Sequence, residues 1–238
     1  MGPFEVNLYD NATPETVANF LDYVNNGAFT TAIYHRSIPN FVVQGGGFTY
    51  NGALPLVAVP SNPSPTNEPE FSNVRGTISM AKQANQPNSA TSHWFFNLVD
   101  NSAVLDPQNG GFTVFGEVVG NGMDVVDEIA ALPIYDFGGA TTDLPLQNYS
   151  AADYSNNVTP DGNHFVIVTG VIISDSTVDS AAGLNPPVNT LINAPPPPPP
   201  PPPPSGGGGG SFGLLGLFAL LLGYRFRQKA TNECPKAF

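Results

Sequence analysis

Apolar and polar residues alternate with a period of two through much of the first 175 positions, and helical spacing interrupts that alternation twice. Phe4-Glu5-Val6-Asn7-Leu8-Tyr9 alternates as a half-buried strand does. Thr13-Pro14 then opens a helix: Thr13 is placed as N-cap, Pro14 takes the first helical position, and apolar residues recur at helical spacing through Val24. Asn25-Asn26-Gly27 ends it. Strands read at 32–37, 41–44, 77–80, 93–98 and 113–118, a second helix at 123–131, and a long closing strand at 164–173. Many short strands, two helices and tight turns predict a mainly β protein, a closed antiparallel barrel capped by the helices. No internal repeat is present.

Composition divides the chain into three zones. Residues 1–178 have the complexity of a folded domain; 179–211 read as a linker with an unbroken proline run, Pro195 to Pro204, followed by Ser205 and five glycines; 212–238 hold an uncharged stretch ending at Tyr224 and then Arg225, Arg227 and Lys229. Prolines favour a stiff spacer and glycines a flexible joint. The formal net charge of -12 is unevenly placed: residues 1–224 carry three bases (Arg36, Arg75, Lys82) against 18 acids. Such a surface repels phosphate backbones and excludes nucleic acid as a partner. The single cysteine, Cys234, lies in the tail, so the domain can hold no internal disulfide and no thiolate metal cage. No signal peptide precedes the first strand.

Several chemistries find no support. His35, His93 and His164 fall in separate strands without metal-ligand spacing, so no metal site is expected, and no cofactor motif appears. Gly45-Gly46-Gly47 lacks the Gly-Lys-Ser/Thr ending of a phosphate loop and reads as a strand-to-turn transition where side chains would collide. The acids are scattered, and no carboxylate pair stands out.

One segment combines a rare arginine with aromatics and a glutamine: Tyr34-His35-Arg36-Ser37-Ile38-Pro39-Asn40-Phe41-Val42-Val43-Gln44-Gly45-Gly46. It resembles the FHR-x-I-P-x-F-x-x-Q-G-G signature of cyclophilins. Gly76-Thr77-Ile78-Ser79-Met80-Ala81, Ser89-Ala90-Thr91-Ser92-His93-Trp94-Phe95-Phe96-Asn97, Leu105-Asp106, Val114-Phe115-Gly116-Glu117-Val118 and Met123-Asp124-Val125-Val126-Asp127 follow in the family's order. The resemblance covers nearly all of residues 4–175. It implies an eight-stranded cyclophilin-like barrel, with the family's first strand missing from this chain, and peptidyl-prolyl cis-trans isomerase activity without a cofactor. X-Pro rotation meets a barrier near 20 kcal/mol because the amide C–N bond is partly double. Lowering it requires no nucleophile: an apolar pocket holds the proline ring, and a donor bonds the prolyl nitrogen more strongly as resonance is lost. The resemblance assigns that donor to Arg36 and the peptide-steadying role to Gln44. It places the proline ring among Phe41, Val42, Phe95, Leu105 and Phe112, with Ala81 and Lys82 lining the adjacent groove.

The departures bear on binding. Val42 stands where methionine is common, Val104 where Trp or Phe is, and Phe112 where His or Tyr is; His93 replaces a glutamine and Trp94 widens an aromatic. Tight binding of the cyclosporin class is therefore not expected. Each residue also has a plainer reading: Arg36 could merely pair with a carboxylate, and the phenylalanines could be ordinary core. Residues 133–163 are longer and more polar than the family's link and read as a surface insertion. A missing first strand leaves a barrel edge exposed, which points to a start upstream of Met1 with a signal peptide there.

Glycines, a short apolar helix and a terminal basic cluster over 205–229 resemble the GlyGly-CTERM sorting signal of Gram-negative bacteria, which a rhomboid-type protease cuts. With basic residues at its cytoplasmic end, this tail would hold the domain at a membrane, on the periplasmic or cell-surface side, or release it after cleavage. The expected protein is thus a monomeric folding enzyme acting on X-Pro bonds of exported polypeptides. The alternative is a non-catalytic proline-peptide-binding module at the surface, which turnover would distinguish.

Overall fold

The computed structural model describes residues 1–178, 181 and 183–194. β1 (Glu5–Leu8) is followed by α1 (Pro14–Asn25), then β2 (Arg36–Ile38), β3 (Val42–Gly46), β4 (Phe48–Thr49), β5 (Val57–Ala58), β6 (Thr77–Met80) and β7 (His93–Asn97). The short α2 (Ser102–Leu105), β8 (Val114–Val119) and α3 (Gly122–Ala130) come next. β9 (Ile134–Tyr135), β10 (Leu144–Pro145) and α4 (Ala151–Ser155) lie in the 133–163 insertion. The main sheet has six antiparallel strands in the order β1-β8-β6-β7-β3-β2.

Most expected elements appear within a residue or two, and the exceptions have local causes. The strand expected at 32–37 is paired regularly only from Arg36; before it, Ala32 and Ile33 make single bridges, to Thr49 and Ile167. The long closing strand is likewise reduced to bridges: Thr31 and Tyr34 donate to the carbonyls of Val168 and Val166, and Val168 donates back to Ala32. The barrel is thus drawn round through bridges rather than a continuous ladder. No backbone hydrogen bond among the described residues joins β1 to 164–173, and Ile172 there is 86% exposed.

Thr13 does not cap α1: its hydroxyl donates to the Tyr9 carbonyl. The first N–H groups of the helix are met instead by the Glu68 carboxylate, which accepts from Glu15 and Thr16. A carboxylate at a helix N-terminus satisfies orphan donors and suits the helix dipole. The insertion is built, not loose. α4 carries a reciprocal Ser150–Asp153 capping box, and Tyr135, Phe137, Tyr149 and Tyr154 pack ring against ring.

Alternation across the sheet separates two environments. Val43, Ile78, Met80, Trp94, Phe96 and Phe115 point to one face, where they join Val17 and Phe20 of α1 and Val126 and Ile129 of α3 in the main core. Their neighbours Val42, Gln44, Ser79 and Phe95 point to the other face. The triple glycine lies where side chains would collide: an added Cβ would sit 2.5 Å from Trp94 at Gly45, 2.2 Å from the Ser92 carbonyl at Gly46, and 2.0 Å from His93 at Gly47. The last two also hold a positive φ. No helix among the described residues is long and apolar enough to cross a membrane, and the apolar stretch 212–224 lies outside them.

Candidate active site

The ladder pairs Arg36 of β2 with Gln44 of β3, Gln44 with Phe95 of β7, and Phe95 with Ser79 of β6. Directly paired residues project on the same side with Cβ atoms about 5 Å apart, so Arg36, Gln44, Phe95 and Ser79 form one row across four strands. Beside that row Phe41, Val42, Phe95, Leu105 and Phe112 form a separate apolar cluster, with Ile38 and Ala81 packed against it. The five residues given to the proline pocket therefore do come together, next to Arg36 and Gln44. The Phe95 and Phe112 rings meet edge to face, with centroids 5.9 Å apart.

Arg36 lies largely below the surface, its side chain 15% exposed, and its Nε donates to Asp143 Oδ2 at 3.3 Å. Burial pushes its pKa below the ordinary value and Asp143 opposes that shift. The arginine does pair with a carboxylate, then, while standing in the row that borders the pocket. Asp143 comes from the insertion and is anchored by its own carbonyl, which accepts from the Ser37 amide.

Lys82 is placed differently from the expectation that it lines a groove. It is 2% exposed, and its ammonium donates to Asn67 Oδ1 (3.0 Å), the Asn109 carbonyl (3.0 Å) and the Gly111 carbonyl (2.5 Å). Its Nζ lies 4.9 Å from the Phe112 ring centroid. Burial pushes its pKa down to about 7, while three acceptors favour the charged form. A buried ammonium needs all its donors met, and two loop carbonyls and an amide oxygen supply that here. Lys82 ties loops together, with its ammonium over the Phe112 ring, while Ala81 packs against the apolar cluster. Val104 is 42% exposed.

Beneath the apolar cluster lies a network of buried amides that motif reading passed over. Asn73 donates its backbone and side-chain N–H to Asp106 Oδ1 (2.9 and 3.0 Å) and its amide to the Phe112 carbonyl (3.1 Å). Its Oδ1 accepts from Ser79 at 2.7 Å. Asn97 donates to Thr77 (2.9 Å), and Asn101 to Asn97 (2.8 Å) and to the Phe41 carbonyl (2.9 Å). The backbones of Phe41 and Phe112, on opposite walls, are thereby fixed to one network. Asn97 and Asp106 lie within motifs already noted, but their role is set by distant partners that spacing cannot reveal.

The histidines are structural. His35 and His93 stand 5.3 Å apart, edge to face, with Phe48 against both. Burial and the neighbouring His93 hold His35 well below the ordinary imidazole value, and burial alone holds His93 at about 4. Among the described residues no group of three His, Cys, Asp or Glu could hold a metal ion.

The fold is thus a partly drawn-round antiparallel barrel with an arginine opposite a glutamine beside a buried apolar cluster. The family described as cyclophilin type peptidyl-prolyl cis-trans isomerase/CLD matches residues 1–150. The chain belongs to that family and is a peptidyl-prolyl cis-trans isomerase. It is 42% identical over 139 residues to a peptidyl-prolyl cis-trans isomerase of Acinetobacter baylyi, covering 58% of this chain and 72% of that protein. It is 43% identical over 151 residues to peptidyl-prolyl cis-trans isomerase A of Dickeya dadantii, covering 62% and 73%. Against isomerase B of Escherichia coli the figures are 40% over 132 residues, covering 54% and 78%. A solved cyclophilin-type isomerase of Cryptosporidium parvum, studied in the presence of the dipeptide Ala-Pro, shares the fold with a TM-score of 0.50 at 20% identity, over 73% of this chain and 94% of that one.

Proposed function

We propose that the Arg36–Gln44 row and the adjoining apolar cluster form the catalytic groove, and that X-Pro polypeptides bind along it. The observation that carries this reading is the placement of a largely buried guanidinium directly opposite Gln44 in the ladder, beside the apolar cluster of Phe41, Val42, Phe95, Leu105 and Phe112. The Cryptosporidium relative, by its title, was studied with Ala-Pro, the smallest X-Pro unit.

In this scheme the proline ring enters among Phe41, Phe95, Leu105 and Phe112. Gln44 holds the peptide backbone, and Arg36 donates to the substrate. As the amide twists, the prolyl nitrogen regains its lone pair and becomes a better acceptor, so the bond from Arg36 strengthens towards the transition state and catalysis follows from differential binding. Asp143 acts on the far side of the guanidinium: bonded to Nε, it sets the plane in which the terminal amino groups lie. Val42 and Ala81 shape the rim.

The test is the isomerisation rate of a short X-Pro peptide. Arg36→Ala should lower kcat/KM by about tenfold or more, equivalent to about 1.4 kcal/mol, with an unchanged fold by circular dichroism. A parent that binds Pro-peptides without accelerating them would mean a binding module instead. For the tail, the reading is that 212–224 with its basic flank holds the enzyme on the periplasmic or cell-surface side of a Gram-negative envelope. There it would serve exported proteins until a rhomboid-type protease releases it. The support is the glycine, apolar and basic order of the sequence. Fractionation of cells with and without such a protease tests it: a chain found only in the cytosol would end this part of the reading.

A further inference from the structure

Beyond the stretch matched to the family, residues 186–192 return to the domain as a strap. Val178, Ala181, Leu184 and Pro186 bound a cavity of about 170 Å³ together with Tyr9 and Phe71. It then makes close bonds. The Ser72 amide donates to the Pro187 carbonyl (2.8 Å), Val188 bridges Phe71, and the Asn189 amide donates to the Glu70 carbonyl (2.9 Å). Composition alone assigns this stretch to a linker, yet Asn189 is 7% exposed.

The Asn189 side chain is used at both ends. Its Oδ1 accepts from the Leu191 amide (2.9 Å), closing a turn, and its Nδ2 donates to the Asp106 carbonyl (3.2 Å). Asp106 follows Leu105 of the apolar cluster, and its carboxylate is the anchor of Asn73, which in turn holds the Phe112 carbonyl. The strap also closes on the same loop at Gly111, where an added Cβ would sit 2.9 Å from Ile192 Cδ1, 2.9 Å from the Asp106 carbonyl and 2.7 Å from Pro69. Three chain segments therefore converge on the loop that presents Leu105 and Phe112.

We propose that the 186–192 strap, through Asn189, is a positioning element for the proline pocket, so that the pocket is complete only when the chain beyond the catalytic fold is docked. The proposal rests on the reading of the Phe112 recess as that pocket. The strap's hydrogen bonds run to Glu70, Ser72 and Asp106. Loosening it should weaken ground state and transition state alike, raising KM while sparing kcat.

The experiment uses the full chain with Asn189→Ala and Asn189→Asp, and Phe112→Ala as the pocket control, each assayed on an X-Pro peptide and by thermal melting. Aspartate keeps the acceptor for Leu191 but has no N–H for the Asp106 carbonyl, so both Asn189 variants should raise KM about three- to tenfold with kcat within about twofold. If Asn189→Ala fails to fold, Asn189→Asp carries the test, because it retains the turn. An unchanged KM in the Asn189 variants, with KM raised by Phe112→Ala, overturns the strap and leaves the pocket standing. An unchanged KM in all three overturns the pocket reading as well. A fall in kcat at constant KM would also overturn positioning, since it would place the effect on the twisted amide.

Discussion

The main core and the floor of the groove lie on opposite faces of the same strands and are held by different forces. Under α1 and α3, Phe20, Phe29, Phe96, Phe115 and Ile129 pack in one apolar cluster. Under the groove a small apolar cluster rests on Asn73, Asn97, Asn101 and Asp106. Apolar contacts are non-directional and tolerate small shifts, whereas hydrogen bonds fix distance and angle. Bulk stability is therefore expected from the first region and atomic placement from the second.

The largest expected effect tests the core alone. Phe29→Ala should cost about 3–5 kcal/mol of stability, read by urea unfolding, while KM per folded molecule stays within about twofold. A raised KM would show that the two faces are not independent. Asn73→Ala should cost about 2–4 kcal/mol, because buried partners are left unmet. Unlike Phe29→Ala, it should also raise KM; stability lost at constant KM would make the amide network mere scaffolding.

Acid offers a third probe. His35 and His93 bind protons more weakly folded than unfolded, so their contribution to stability is full above about pH 6.5 and drains as pH falls below it, for His93 towards about 4. The loss from His93 alone should reach about 3 kcal/mol by pH 4, and His93→Gln should remove that part of the slope in chemical denaturation. A slope unchanged in that variant would assign the acid lability to the carboxylates.

The smallest effect belongs to Arg75, whose guanidinium makes a two-bond pair with Asp127 (3.1 and 2.6 Å) at roughly half exposure. Arg75→Ala should cost less than about 1 kcal/mol and leave KM and kcat alone. Arg36 meets Asp143 through Nε at 3.3 Å, yet its loss should affect turnover far more than stability. The comparison of the two arginines would fail if both variants behaved alike.

Much of the fold was legible because periodicity reports which face of an element is buried. α1, α3, β6, β7 and β8 needed little beyond it. The strands at 32–37 and 164–173 were overread, since alternation marks a half-buried chain but not whether a partner lies alongside to pair with it. For the candidate site, the motifs named Arg36, Gln44 and five apolar residues that the fold brings side by side. The resemblance put Lys82 at the groove, and only the tertiary fold shows it buried, with three acceptors around its ammonium. Asp143 and Asn189 gave no local signal: each lies in a stretch that composition marks as insertion or linker.

By itself, then, the sequence determined the alternating strands, the two amphipathic helices, the glycine run that admits Trp94 and His93, and the motif order that marks the family. Those are local properties of side-chain size, polarity and spacing. The tertiary structure decided which distant polar atoms meet: Asp143 on Arg36, Asn73 on Asp106, three loop acceptors on Lys82, and Asn189 on the Asp106 carbonyl. A hydrogen bond between residues a hundred positions apart depends on tenths of an ångström that no pattern encodes. It exists only once the packed core has fixed both backbones.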